Sequence, residues 1–262
     1  MNPKIFVSQT WCPPALVGGG GGPAGLEGGI TLSLWLGSPK PHKGIPYTPL
    51  SPKPGINNGF YFGTQNGEEN YLTNLSWTLD GKFVIVAEVN RDQDHIWLNV
   101  FDAETGAFVK TLLEETSKTW VEPEHPAFFP MEGSNNFVWV SERNGYNNLY
   151  YYDFDGNLIQ QLTDHKFVVK DIMEYKNKQV YYTTTGETPT ESHVYSVSLK
   201  GKVKILTRAK GSHSVHISDD GKFFHDNFSS HTIANNDWII NSKGKIVSIK
   251  MESQDKLRNY TI

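Results

Sequence analysis

From Phe83 to Ile249 the chain breaks into short stretches in which apolar and polar side chains alternate, as at Phe83, Ile85 and Ala87 or at Phe137, Trp139 and Ser141. Period two sends successive side chains to opposite faces of a pleated strand, so these stretches predict half-buried β-strands. Tight-turn residues punctuate them at Asp80-Gly81, Gly133, Asn177 and Asp220-Gly221, and again at Thr105-Gly106, Asp155-Gly156, Lys200-Gly201 and Lys243-Gly244. The two turns of each unit lie 25, 23, 24 and 23 residues apart. A short apolar segment precedes each first turn. Between the turns come an alternating strand, a variable loop and another strand, such as Asn148 to Asp153. Each unit closes with a further apolar strand: Val109 to Leu113, Leu158 to Thr163, Val203 to Thr207 and Ile246 to Ile249.

Four antiparallel strands recurring at about 40 to 50 residues predict an all-β fold, a β-propeller of four-stranded blades. A β-sandwich has strands of similar length but does not repeat a turn pair at constant internal spacing. Four blades are expected, with a fifth piece, Phe60 to Thr73, as the closing hairpin of a preceding blade, its Leu72-Thr73 matching Leu162-Thr163 and Leu206-Thr207. An array of about four and a half blades leaves blade faces and sheet edges unpaired, so it is expected to be part of a larger propeller.

Residues 1–58 are different material, with 11 Gly and 10 Pro but only five charged side chains, against 13 Gly and 4 Pro in 59–262. Gly18 to Gly22 and the Pro-spaced string through Pro54 bury little apolar surface, so this segment is expected to be disordered, whether a flexible linker or a non-native N-terminus. The propeller is assigned to 59–253 and a connector to 254–262. Composition adds exclusions. The formal net charge of -4 and scattered Lys and Arg argue against a nucleic-acid or anionic-membrane partner. The lone Cys12 excludes an intramolecular disulfide framework and a Cys-cluster zinc site. No run of 18 apolar residues and no charged-then-apolar leader pattern is found.

Several constellations resemble chemistry. Glu142 and Arg143 are adjacent, but consecutive strand residues face opposite ways, so an ion pair or turn contact is expected. His213, His216 and His225 form the best histidine cluster, yet His-x-x-His straddles both faces of a strand and no metal is expected. Asp153 to Asn157 lacks the full spacing of a calcium loop and reads as hairpin chemistry. Glu114-Glu115 lies in a closing strand and is expected to be a solvated pair. Asn74-Leu75-Ser76, Asn227-Phe228-Ser229 and Asn259-Tyr260-Thr261 are formal glycosylation sequons with chance occurrence as the default.

The runs Leu72-Thr73-Asn74-Leu75-Ser76-Trp77, Glu88 to His95, Val121-Glu122-Pro123-Glu124-His125-Pro126 and Trp139 to Tyr150 resemble, in order and blade spacing, the N-terminal propeller of dipeptidyl peptidase IV-like enzymes of the prolyl oligopeptidase group, bacterial ones in particular. The resemblance covers about residues 59–262. It implies an eight-bladed propeller over an α/β-hydrolase domain with a Ser-Asp-His triad, releasing Xaa-Pro or Xaa-Ala dipeptides. No Gly-x-Ser-x-Gly elbow occurs in this sequence, Gly211-Ser212-His213-Ser214-Val215 lacking the second glycine, so the chain is expected to be inactive alone. The family's paired amine-binding glutamates lie upstream of all that matches here. Trp120 and Glu122 fall in the loop that approaches substrate in relatives and are the candidate substrate-binding residues, although the family's Phe-Arg pair is missing. The resemblance further implies the hydrolase domain of the parent chain, a peptide substrate and a homodimer as partners, no cofactor, and export to a periplasm. A stand-alone propeller that binds a protein or peptide is the alternative. A misassembled product is a third reading, suggested by residues 1–58.

Overall fold

The structure is a computed structural model that describes residues 64–66 and 70–253 in full and the backbone of 7–10, 31–34 and 61–62. Two compact units are distinguished: 1–77 with 81–122, and 78–80 with 123–262. The first contains a three-stranded antiparallel sheet of β1 (Val7–Thr10), β2 (Thr31–Leu34) and β3 (Tyr61–Phe62), so that two short strands fall within 1–58. The rest of 1–58, and the connector at 254–262, lie outside the described residues. The same unit carries a four-stranded sheet of β4 (Tyr71–Trp77), β5 (Phe83–Val89), β6 (His95–Asp102) and β7 (Phe108–Thr116), paired in chain order.

The second unit holds three sheets, each antiparallel and in sequential order. They are β8 (Phe137–Ser141), β9 (Asn148–Tyr152) and β10 (Leu158–Gln161); β11 (Val169–Lys176), β12 (Gln179–Thr184), β13 (His193–Val197) and β14 (Val203–Ile205); and β15 (Ser212–Ile217), β16 (Phe223–Ser229), β17 (Asn236–Asn241) and β18 (Ile246–Glu252). These are propeller blades, as the turn spacing predicts. In the first of the three, the expected fourth strand is reduced to one bridge, Phe128 to Val138. Pro126 and Pro130 flank that bridge, and a proline has no N–H to extend a ladder.

One expectation is corrected. Leu72-Thr73 does not close a preceding blade; it lies inside β4 and pairs with Glu88 and Ala87 of β5. Elsewhere the Leu-Thr pair does close a blade. Leu162 and Leu206 are buried, and the hydroxyls of Thr163 and Thr207 accept the N–H of Leu149 and Val194, each at 2.9 Å.

Turn chemistry explains the spacing. Gly81, Gly133, Gly221 and Asn177 at the first turns, and Gly106, Gly156, Gly201 and Gly244 at the second, all have positive φ. Positive φ costs glycine little, and asparagine tolerates it better than most residues. At the second turns, a side chain three or four residues earlier caps the loop. Asp153 accepts the N–H of Asp155 and Asn157 at 2.9 and 2.8 Å, and Asn241 accepts those of Lys243 and Lys245. Asp153 is therefore hairpin chemistry, as its sequence context predicts.

Cores form where adjacent sheets of the second unit stack. On β12, Val180 and Tyr182 join Val138, Val140, Leu149 and Tyr151 of the neighbouring sheet, whereas Tyr181 faces the other way and joins Val215, Phe224 and Ile240. A central strand is thus buried on both faces, so the half-buried alternation expected from the sequence gives way on β12 to three consecutive buried residues, Val180, Tyr181 and Tyr182. Each such fully buried side chain contributes about 1.5–3 kcal/mol. No helix among the described residues is long and apolar enough to cross a membrane.

Candidate functional site

Trp120 and Glu122 follow β7 in the first unit. The segment is pinned by backbone bonds from Ser117 N to Asp94 O at 2.9 Å and from Val121 N to Gln93 O at 2.6 Å. Val121 is buried, while Trp120, 51% exposed, and Glu122 on either side of it face solvent. A buried anchor between two exposed neighbours presents an indole and a carboxylate from one short, tethered segment. Such a pair can offer a flat apolar surface and an anion to a passing peptide.

Glu88, a residue that strand alternation does not mark, is the most enclosed charge among the described residues of the first unit, with no exposed surface. Its Oε1 accepts Asn66 N and Asn70 Nδ2, both at 2.8 Å. Its Oε2 accepts Gln65 N at 2.8 Å, Asn66 Nδ2 at 3.1 Å and Asn99 Nδ2 at 2.7 Å. Five neutral donors replace the water a buried carboxylate would lose. With its lone pairs so occupied, Glu88 is a clasp that holds Gln65, Asn66 and Asn70 to the sheet, and it has no acceptor capacity left for a ligand.

In the second unit, Glu191, His193 and Thr207 make a carboxylate–imidazole–hydroxyl line. Glu191 Oε2 is 2.9 Å from His193 Nε2, and His193 Nδ1 is 3.4 Å from Thr207 Oγ1. The order of groups is that of a nucleophilic triad. The preceding blade argues otherwise. There Thr163 occupies the position of Thr207 and donates to Asn148 Oδ1 at 2.8 Å, with asparagine in the place of His193. Thr207 is also 2% exposed and already accepts Val194 N. The hydroxyl is therefore a blade fastener, and its use is to orient His193 so that Nε2 points at Glu191.

His213 is wholly enclosed, its Nε2 donating to Ala209 O at 2.8 Å and its Nδ1 facing both Asp226 oxygens at 2.8 and 3.0 Å. Its ring stacks on Phe228 at 4.7 Å. His216 is exposed on the opposite face of β15, where it is the register partner of His225, which in turn bonds Asp237. The three histidines are thus split between two faces, as His-x-x-His spacing predicts. Glu142 and Arg143 lie just beyond β8 in a turn, not on a strand. Arg143 Nε donates to Ser141 Oγ at 3.0 Å, and its guanidinium sits 4.3 Å over the Tyr150 ring. Glu114 Oε2 pairs with His95 Nε2 at 3.1 Å on the exposed side of β7.

His165 is half-buried, and loss of hydration lowers its pKa from the ordinary imidazole value, with the Asp164 charge opposing. Its Nε2 lies 2.9 Å from the Tyr182 hydroxyl, which burial drives well above the usual phenol range. Both groups stay neutral at pH 7 and serve the core.

A family model described as the dipeptidyl peptidase IV N-terminal region matches residues 60–235. The chain is 30% identical over 178 residues to the probable dipeptidyl-aminopeptidase B of Penicillium rubens, covering 58% of this chain and 20% of that protein. It is 29% identical over 154 residues to dipeptidyl-aminopeptidase B of Aspergillus niger, covering 53% of this chain and 17% of that protein. It therefore spans about a fifth of the length of these relatives. Among solved structures, a putative dipeptidyl aminopeptidase IV from Bacteroides ovatus superposes with a TM-score of 0.71 at 22% identity, covering 89% of this chain and 34% of that one. Porphyromonas gingivalis dipeptidyl peptidase 4 superposes at 0.67 and 18%, covering 86% and 30%. At these identities the two structures establish the shared fold. The family model, spanning more than half of the 262 residues and falling on the blades themselves, makes the chain a member of the dipeptidyl peptidase IV N-terminal region family.

Proposed function

We propose that this chain is the propeller portion of a dipeptidyl peptidase IV-like serine exopeptidase, and that its work in the parent enzyme is selection. The propeller restricts access to the active site and shapes the peptide cavity, while an α/β-hydrolase domain supplied by the parent chain removes Xaa-Pro or Xaa-Ala dipeptides. Trp120 and Glu122 line that cavity. Export to a periplasm and homodimerisation belong to the same reading. The observation that carries it is the family match over 60–235, joined to relatives named as aminopeptidases of which the chain spans about a fifth.

The chemistry is consistent with that division of labour. The one carboxylate–imidazole–hydroxyl line among the described residues ends in a buried, structurally committed threonine, and acyl transfer needs an accessible nucleophile with an oxyanion hole. The purified chain is expected to leave Gly-Pro-p-nitroanilide intact. Turnover that a serine-directed inhibitor abolishes would sink the assignment of chemistry to another domain. In a gene product carrying both parts, Trp120→Ala should raise KM more than it lowers kcat, and an unchanged KM would remove Trp120 from the cavity.

A further inference from the structure

The loop between β12 and β13 borders, with β13 and the edge strand β14, a cleft of about 330 Å³. Glu187 and Glu191 come from the loop, His193 and Tyr195 from β13, and Arg208 and Lys210 from the segment after β14. Gly186, at φ 65°, lets the loop approach closely, because a side chain there would meet the His193 ring at 3.0 Å. Two carboxylates and two permanent cations therefore share one hollow. Glu191 is committed to His193 at 2.9 Å. Among the described residues, Glu187, Arg208 and Lys210 form no ion pair, with one another or with any other side chain.

Opposite charges that share a cleft without pairing leave both signs available to a ligand. Burial raises the Tyr195 pKa above the ordinary phenol value, Glu187 adds to the rise and Arg208 opposes it, so both charges lie within Coulombic reach of one hydroxyl. The volume lies at the small end of ligand sites, suited to a molecule of amino-acid or dipeptide size. Arg208 supplies the planar fork that matches a carboxylate, and the Glu187 carboxylate suits an ammonium.

We propose that this cleft binds a small zwitterion, its ammonium on Glu187 and its carboxylate on Arg208 and Lys210. The site is independent of the peptidase reading and stands or falls separately. The test is a titration of the 262-residue chain at low ionic strength, followed by NMR shifts of the His193 ring and the 186–210 amides. The probes are glycine, β-alanine and 5-aminopentanoate, which differ only in charge separation, with glycinamide and N-acetylglycine as singly charged controls. Saturable shifts in the millimolar range are expected with one preferred length, weakened about tenfold by either control. Arg208→Gln and Glu187→Gln should each weaken binding severalfold without moving the thermal midpoint, since both side chains are exposed. Absence of saturable shifts, equal response to the capped controls, or undiminished binding by Arg208→Gln overturns the proposal.

Discussion

Replacing Glu88 with glutamine changes one oxygen into an NH2 group inside a nest of five donors, without changing the side chain's shape. If the amide takes the Oε1 position it confronts Asn66 N and Asn70 Nδ2; at Oε2 it confronts Gln65 N, Asn66 Nδ2 and Asn99 Nδ2. The less costly choice loses two hydrogen bonds to a charged acceptor, each worth about 1.5–3 kcal/mol. Two effects offset part of this. Rotation of the Asn70 amide can present its oxygen to the new donor, and the desolvation cost of a buried charge disappears. A net cost of about 2–4 kcal/mol remains, and at about 1.4 kcal/mol per tenfold it should speed opening at Gln65 and Asn66 by about 30- to 1,000-fold. Hydrogen exchange at the Gln65 and Asn66 amides reads that opening directly, and urea denaturation followed by tryptophan fluorescence reports whether the rest of the sheet follows. Exchange at those two amides unchanged within a factor of about three, together with an unshifted urea midpoint, would refute the clasp, since such a result corresponds to less than about 1 kcal/mol.

Other outcomes follow from the same geometry. Thr163→Val should cost about 1–3 kcal/mol, because the buried Leu149 N–H loses its acceptor, and a thermal melt checks it. Gly211→Ala should destabilise far more than Gly81→Ala. At Gly211, with φ 134°, a Cβ overlaps the Ser229 carbonyl, whereas at Gly81 it meets open space and only the φ of 70° is strained, about 1 kcal/mol; equal melting shifts would contradict this. His213→Phe should cost about 3–5 kcal/mol by leaving Asp226 buried without its partner, and His213→Phe with Asp226→Leu should recover much of the loss in a double-mutant cycle. For His165 the folded pKa lies below the unfolded value near 6.5, so the unfolded state binds more protons between the two. Its contribution is whole above about pH 6.5 and is lost as pH falls toward the folded pKa, so His165→Gln should flatten stability across that window in pH-dependent urea melts.

Local chemistry was enough to delimit the blades. Glycine and asparagine at fixed spacing set positive φ, side chains such as Asp153 and Asn241 cap the same turns, and alternating apolar residues fill the strands between them. All of these act within a few residues of the chain, and so are legible in one dimension. The Leu-Thr pair marks the limit of that legibility, since the same dipeptide closes a blade at 162–163 and 206–207 but sits inside an opening strand at 72–73. Two residues do not encode which neighbour they will pair with. Trp120 and Glu122 were reachable only through family resemblance, because their exposure depends on Val121 being tethered to the turn after β5.

Tertiary structure alone decided the rest. Glu88 meets donors 11 to 23 positions away, Asp226 meets His213 across a strand pair, and the charges of the 186–210 cleft converge from a loop, a strand and the segment beyond another strand. Strand register governs these meetings. A slip of one residue turns every side chain to the other face, so until register is fixed by long-range packing, the sequence specifies that a carboxylate is in a strand but not whether it is solvated, clasped or part of a site.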